Sequence, residues 1–114
     1  MIALKSSAAA TATLAPLGDG RFKVSGALNA ETVGALLERS EESFKGSPKL
    51  ELDLAGVPEG DSAGLALLIE WLRLARQNKQ DIHFANVPAQ IAALAVISEV
   101  EELLAPGASQ GAAS

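Results

Sequence analysis

The sequence predicts one α/β domain in which a mixed, mostly parallel sheet of four to five strands packs with about three helices. Three observations predict this fold. The 114 residues suit a single domain, hydrophobic residues make up 48% of them, and two strand patterns precede alternating helix and strand patterns. We expect the domain over residues 11–105, between a flexible N-terminus (1–10) and a disordered tail of small and polar residues (106–114).

The first expected elements are a hairpin and a helix. Strand patterns over 13–17 and 22–25 flank the triplet Gly18-Asp19-Gly20, whose composition is typical of a tight turn. Asn29 is expected to cap a helix, because apolar residues recur at helical spacing after it. Gly46 is expected to end that helix.

The second half of the domain alternates strand and helix. Apolar residues at every second position predict a strand over 50–54, and a loop rich in Gly and Pro follows it. A long apolar pattern predicts a helix over 62–78, and a short strand pattern covers 82–85. Pro88 suits the first turn of a further helix, and a last turn is expected over 100–104.

Charge and composition exclude several classes of function. Nine Lys and Arg stand against fourteen Asp and Glu, so the net charge is −5, and we expect no nucleic-acid partner because such a partner needs a basic surface. The absence of cysteine excludes disulfides and thiolate metal sites. No apolar run is long enough to span a bilayer. We predict a cytoplasmic domain without direct membrane insertion, bound cofactor, metal or small-molecule substrate.

The predicted helix over 62–78 is more apolar than a surface helix needs. It begins beside Asp61 and Ser62, either of which could cap it. Its apolar arc continues past the expected core stripe onto a flank that the sheet should not cover. Either the next helix covers this flank, or it binds a partner protein with Trp71 as the main contact, since aromatic residues dominate binding hot spots. The residues on this flank are Ala63, Leu67, Trp71 and Leu74.

Enzyme chemistry is not favoured by the motifs present. The run Gly60-Asp61-Ser62-Ala63-Gly64 matches the G-x-S-x-G nucleophile pattern, but a loop separates it from the preceding strand pattern. The only histidine, His83, lies within a predicted strand and is a poor candidate for the base of a triad. The acidic residues Asp53, Glu59 and Asp61 lack the spacing of a specific Mg²⁺ site. We therefore predict that the chain is not an enzyme.

The stretch 50–104 resembles the STAS domain, the fold of sulfate transporters and anti-sigma-factor antagonists. The resemblance rests on the strand Leu50-Glu51-Leu52-Asp53-Leu54, on Val57, and on the run Asp61-Ser62-Ala63-Gly64-Leu65 with the apolar residues after it. In this family the residue at Ser62 is regulatory. The resemblance implies that Ser62 is phosphorylated in an anti-sigma-factor antagonist, which weakens partner binding by added charge.

The chain is more similar to the STAS subunits of Mla-type phospholipid-transport ABC transporters, through its apolar helix over 65–75 and the segment 84–90. In those subunits the residue matching Ser62 contacts the transporter ATPase. The resemblance implies a non-catalytic subunit that binds the ABC ATPase and its permease at the inner membrane. It would support phospholipid transport that maintains outer-membrane lipid asymmetry. The expected partner-binding residues are Asp61, Ser62, Ala63, Gly64, Leu67, Trp71 and Leu74.

Overall fold

The computed structural model describes residues 11–104, so the expected flexible N-terminus over 1–10 and tail over 106–114 lie outside the described residues. Four strands and three α-helices follow one another in the described part. They are β1 (Thr13–Gly18), β2 (Arg21–Ser25), α1 (Val33–Ser43), β3 (Lys49–Gly56), α2 (Ser62–Gln77), β4 (Asp81–Ala85) and α3 (Ala89–Ile97), before a 3₁₀ turn over Glu101–Leu104.

The strands form one sheet in the order β1-β2-β3-β4. The hairpin strands β1 and β2 pair antiparallel, whereas β2 pairs parallel to β3 and β3 pairs parallel to β4. The sheet is therefore mixed and mostly parallel, and the predicted fold class is confirmed. Each parallel pair is joined through a helix, as parallel strands require.

The domain has two layers with one core between them. Alternate side chains of the sheet are buried together with apolar residues of the helices, among them Val24, Leu52 and Phe84. The residues between them point to the other face of the sheet. On that face Arg21 and Glu51 are exposed. The core thus lies on the helical side of the sheet.

The first helix begins later than the sequence predicted. The Oδ1 atom of Asn29 accepts from the backbone N–H of Glu31 at 2.9 Å, which closes a turn ahead of the helix. Thr32 then occupies the N-cap position. Its buried hydroxyl donates to the carbonyl of Ala27 at 2.9 Å and accepts from the N–H of Asn29 at 3.0 Å. Asn29 therefore initiates the turn, and the prediction that it caps the helix is wrong.

No helix in the described part of the chain is long and apolar enough to cross a membrane.

Asp53, three residues before the end of β3, is bonded to the turn after β4. Its Oδ1 atom accepts from Asn86 Nδ2 at 2.9 Å and from the N–H of Ala55 at 2.9 Å. The hydrogen bond from Asn86 is the largest cause that holds the pKa of Asp53 below its usual 3.8, and the bond from Ala55 comes next. The positive charge of Lys23 also lowers this pKa. A lowered folded-state pKa means that this carboxylate stabilises the fold above pH 3.8 and that the contribution is lost as the pH falls through the folded-state pKa.

We predict that Asn86→Gly raises the pKa of Asp53 towards its usual value, as measured by NMR titration of the carboxyl group. Glycine suits the backbone here, because Asn86 has a φ of 57°, so the variant removes the amide without adding strain. Lys23→Gln is the control and should raise the pKa less, since Lys23 acts by charge at a distance. An unchanged pKa in Asn86→Gly would contradict this account.

Candidate functional site

Two loops and the start of α3 meet at the edge of the sheet where the parallel strands end. The loop after β2 bonds to the loop after β3, with the N–H of Leu28 donating to the carbonyl of Glu59 at 3.1 Å and the N–H of Asp61 to that of Leu28 at 3.1 Å. The N–H of Gly60 donates to Gln90 Oε1 at 3.0 Å, which joins the start of α3 to the same edge. These bonds fix where α2 begins.

Asp61 caps α2, and Ser62 is the first residue of the helix. Asp61 Oδ1 accepts from the backbone N–H of Ala63 at 2.8 Å, which satisfies one of the unpaired donors of the first turn. Of the two residues that could have capped the helix, Asp61 does so. The side chain of Ser62 is exposed, and it is not the side chain that caps the helix.

Gly64 is buried and acts in packing. A Cβ atom at this position would lie 2.9 Å from Leu28 Cβ and 3.1 Å from Ile91 Cδ1. Only a residue without a side chain lets α2 approach the loop after β2 and the helix α3 so closely. Gly64 therefore cannot contact a partner directly and only shapes the surface that its neighbours form. Ala63 beside it is half-buried.

The expectation that Leu67 and Trp71 lie on an exposed flank is wrong. Leu67 is 3% exposed and Trp71 is 1% exposed. Trp71 Nε1 donates to Ser40 Oγ at 2.8 Å, and the Trp71 ring lies 5.7 Å from that of Phe44, centroid to centroid. The helix α1 therefore covers Trp71, whereas the sequence left this flank to the third helix or to a partner.

Leu74 is half-buried and borders a different feature, a groove of 990 Å³ between the ends of α1 and α2. The rise of a helix places Leu74 about 18 Å from Ser62 along the axis. The residues lining the groove include Phe44, Lys45 and Lys79. The predicted site residues are therefore not all brought together, since only Asp61, Ser62 and Ala63 share one accessible surface.

The accessible side of α2 carries residues that were not predicted from the sequence as part of a site. Ala66 and Arg73 are exposed and Ile69 is half-buried, and their helical spacing continues the line that starts at Ser62. The sequence contains a signal for these residues, because they occupy the positions of α2 that are left when its buried positions are set aside. We call Asp61, Ser62, Ala66 and the partly exposed Ala63 and Ile69 the α2 surface.

The sequence matches a known family over nearly all of the described residues. The family described as "Mlab, STAS domain" matches residues 12–105, which takes in the whole sheet, the three helices and the start of α2. The chain belongs to this STAS family.

Among solved structures, the one titled "Crystal Structure Analysis of Mglu" is similar to this STAS domain with a TM-score of 0.54 and 21% sequence identity. The match covers 68% of this chain and 20% of that chain, so the STAS domain corresponds to about a fifth of the matched chain's length. At this identity the likeness concerns the fold alone. No curated protein matches the sequence.

The geometry of the STAS domain gives Ser62 no triad. Ser62 opens a helix six residues after β3 ends at Gly56, whereas a nucleophile elbow follows its strand directly. His83 pairs with Glu51 across β3 and β4, with Nδ1 3.9 Å from Glu51 Oε2. Because Ile82 and Phe84 on either side of it are buried against the helices, His83 points to the opposite face of the sheet from α2.

Acidic side chains near the strand ends do not gather into a metal site. Within residues 11–104 no group of three or more His, Asp or Glu side chains is arranged to hold a metal ion. Asp61 is used as a helix cap, and Asp53 is bonded to Asn86 and Ala55. STAS domains are generally non-catalytic, and their role is regulatory or accessory.

Proposed function

We propose that this STAS domain is a non-catalytic accessory subunit of an Mla-type ABC transporter. It binds the transporter's ATPase on the cytoplasmic side of the inner membrane, where it supports assembly and activity of the ATPase with its permease. The transport it serves is that of phospholipids, which maintains outer-membrane lipid asymmetry. The chain lies peripheral to the membrane through this complex.

The observation that carries the proposal is the position of Ser62. It is exposed at the first position of α2 while Asp61 does the capping, so its hydroxyl can contact a partner without weakening the helix. Apart from Ile69, the α2 surface around it carries short side chains, which let a partner helix approach closely. The exposed Arg73 beyond this surface is paired with Glu70. The family match supports the choice of an Mla-type partner.

We predict that Ser62→Arg weakens binding to the ATPase at least about tenfold, because the contact would have to bury a long charged side chain. The tagged variant, co-expressed with the ATPase and permease of an Mla-type transporter, should be recovered without them. Ser43→Arg is the matched control, since Ser43 is exposed at the end of α1. Both variants should unfold at the same urea concentration as the original chain.

Undiminished recovery of the ATPase with Ser62→Arg, together with normal recovery for Ser43→Arg, would contradict the proposed contact. Loss of recovery with both variants would also contradict it, because the effect would then be one of added charge anywhere on the domain. The original chain failing to recover any ATPase would remove the transporter assignment and leave the STAS fold unaffected.

A second function, that of an anti-sigma-factor antagonist phosphorylated on Ser62, is favoured by the same capping geometry. A phosphate at the first position of a helix is stabilised by the helix dipole and by unpaired backbone N–H groups. Phosphorylation would thus leave the fold intact and change only the charge of the α2 surface. Recovery of a serine kinase or an anti-sigma factor in place of the ATPase would support this function.

A further inference from the structure

Apart from Gln90, whose side chain accepts from the N–H of Gly60, the exposed residues of α3 are apolar. Five exposed residues recur there at the spacing by which a helix usually buries one face: Ala89, Ala92, Ala93, Val96 and Ile97. Val96 is 55% exposed and Ile97 is 77% exposed. The face of α3 that packs onto the domain is the opposite one, where Ile91 is 0% and Ala95 is 1% exposed. The helix is therefore apolar on both sides and covered on one.

The end of this apolar face is acidic. Glu99, Glu101 and Glu102 follow α3 directly and are all exposed. No Lys or Arg occurs from residue 80 to the end of the chain, so the nearby sequence supplies no positive charge to balance them. An apolar strip that ends in carboxylates is complementary to an apolar strip that ends in Lys or Arg.

We propose that the α3 surface, defined as Ala92, Ala93, Val96 and Ile97 with the three glutamates, binds a helix of a partner protein that carries apolar residues along one side and Lys or Arg at one end. The alanines let a second helix approach closely, because interaxial distance follows the size of the side chains at the contact. Val96 and Ile97 supply the apolar contact, and the glutamates set the orientation of the bound helix.

Charge argues against a second copy of this chain as the occupant. In a two-fold contact the same patch would meet itself, and α3 and the residues after it bring only carboxylates to such a contact. The same carboxylates would be repelled by an anionic lipid surface. The proposal does not rest on the proposed function, since the α3 surface contains no residue of the α2 surface.

The test uses two fluorescein-labelled helical peptides with the same leucine stripe, one with lysines and one with glutamates at one end. Fluorescence anisotropy should show that the full chain binds the lysine peptide at least about tenfold more tightly than the glutamate peptide. The double variant Val96→Ser, Ile97→Ser should bind the lysine peptide about tenfold more weakly, because the apolar area of both exposed side chains is lost from the contact. No binding of the lysine peptide would overturn the proposal.

Two matched controls separate this surface from general attraction to an acidic chain. Leu17→Ser removes an apolar side chain that is 48% exposed on β1 and should leave the affinity unchanged. Replacing Glu99, Glu101 and Glu102 with Gln should weaken binding about tenfold, whereas the same change at Glu38, Glu41 and Glu42 of α1 should weaken it less than threefold. Equal losses from the two triple variants would overturn the proposal.

Light scattering of the free chain completes the test. We expect both the original chain and the Val96→Ser, Ile97→Ser variant to be monomers. A dimer that this variant dissociates would overturn the proposal, because the occupant of the α3 surface would then be a second copy of the chain.

Discussion

Replacing Trp71 with alanine is expected to lower the free energy of unfolding by about 3–5 kcal/mol, the range for removing a large buried aromatic side chain. Trp71 is 1% exposed, its indole N–H bonds to Ser40, and its ring lies between those of Phe44 and Phe84. The loss would combine a cavity, a lost hydrogen bond and two lost ring contacts. Urea unfolding followed by circular dichroism measures it, because Trp71 is the chain's only tryptophan and the variant has no tryptophan fluorescence.

Two milder variants separate the contribution of the hydrogen bond to Ser40 from that of the buried ring. Trp71→Phe keeps a ring but loses the bond to Ser40, and Ser40→Ala loses the same bond from the other side. Each should cost about 1–2 kcal/mol, with less than additive cost in the double variant. If Trp71→Ala were as stable as the original chain, Trp71 would be a surface residue and the packing of α1 against α2 described above would be wrong.

The second large effect is expected from a single methyl group at Gly64. Gly64→Ala would place a Cβ atom 2.9 Å from Leu28 Cβ and 3.1 Å from the Leu28 carbonyl oxygen, which is backbone and can move only with its loop. Overpacking of this kind costs about 1–3 kcal/mol. Part of it is offset by the better helix propensity of alanine, so we expect a net loss of about 1–2 kcal/mol.

Gly34 provides the matched control for Gly64. It is exposed in α1, and a Cβ atom there would meet nothing within 4 Å. Gly34→Ala should therefore raise the free energy of unfolding by about 0.4–1 kcal/mol, because alanine lowers the conformational entropy of the unfolded chain. The two Gly→Ala changes are expected to have opposite signs in the same urea experiment. Equal effects from both would show that helix propensity, and not the contact with Leu28, governs position 64.

The sequence was sufficient for the order of the elements and for most of their bounds. The alternation of Leu50, Leu52 and Leu54 predicts β3 because the period of a strand is two. The helix over 62–78 was predicted within one residue, since Asp61 and the apolar spacing after it are both local signals. Local patterns of this kind can be recognised without knowing which elements pack together.

The position of Trp71 could not be predicted, because it depends on a contact between elements that are distant in the sequence. The partner of its indole N–H is Ser40, 31 residues earlier, in a stretch of α1 that is otherwise polar. A helical arc of apolar residues has the same appearance whether α1 or a partner protein covers it. The exposure of Ile97 could not be predicted for the same reason, since it follows Ile91 and Leu94 in an unbroken apolar pattern.

The order of the strands has a consequence for how the chain is made. The sheet runs β1-β2-β3-β4, so every strand pairs with the one before it in the chain. As the polypeptide leaves the ribosome, each new strand meets an edge that has already been synthesised. No strand has to wait for a later one to fill a gap inside the sheet, and the growing edge is always the most recent strand. Each parallel pair still brings together residues about thirty positions apart, such as Leu50 and Ile82, so the helix between them must be in place before the new strand can pair.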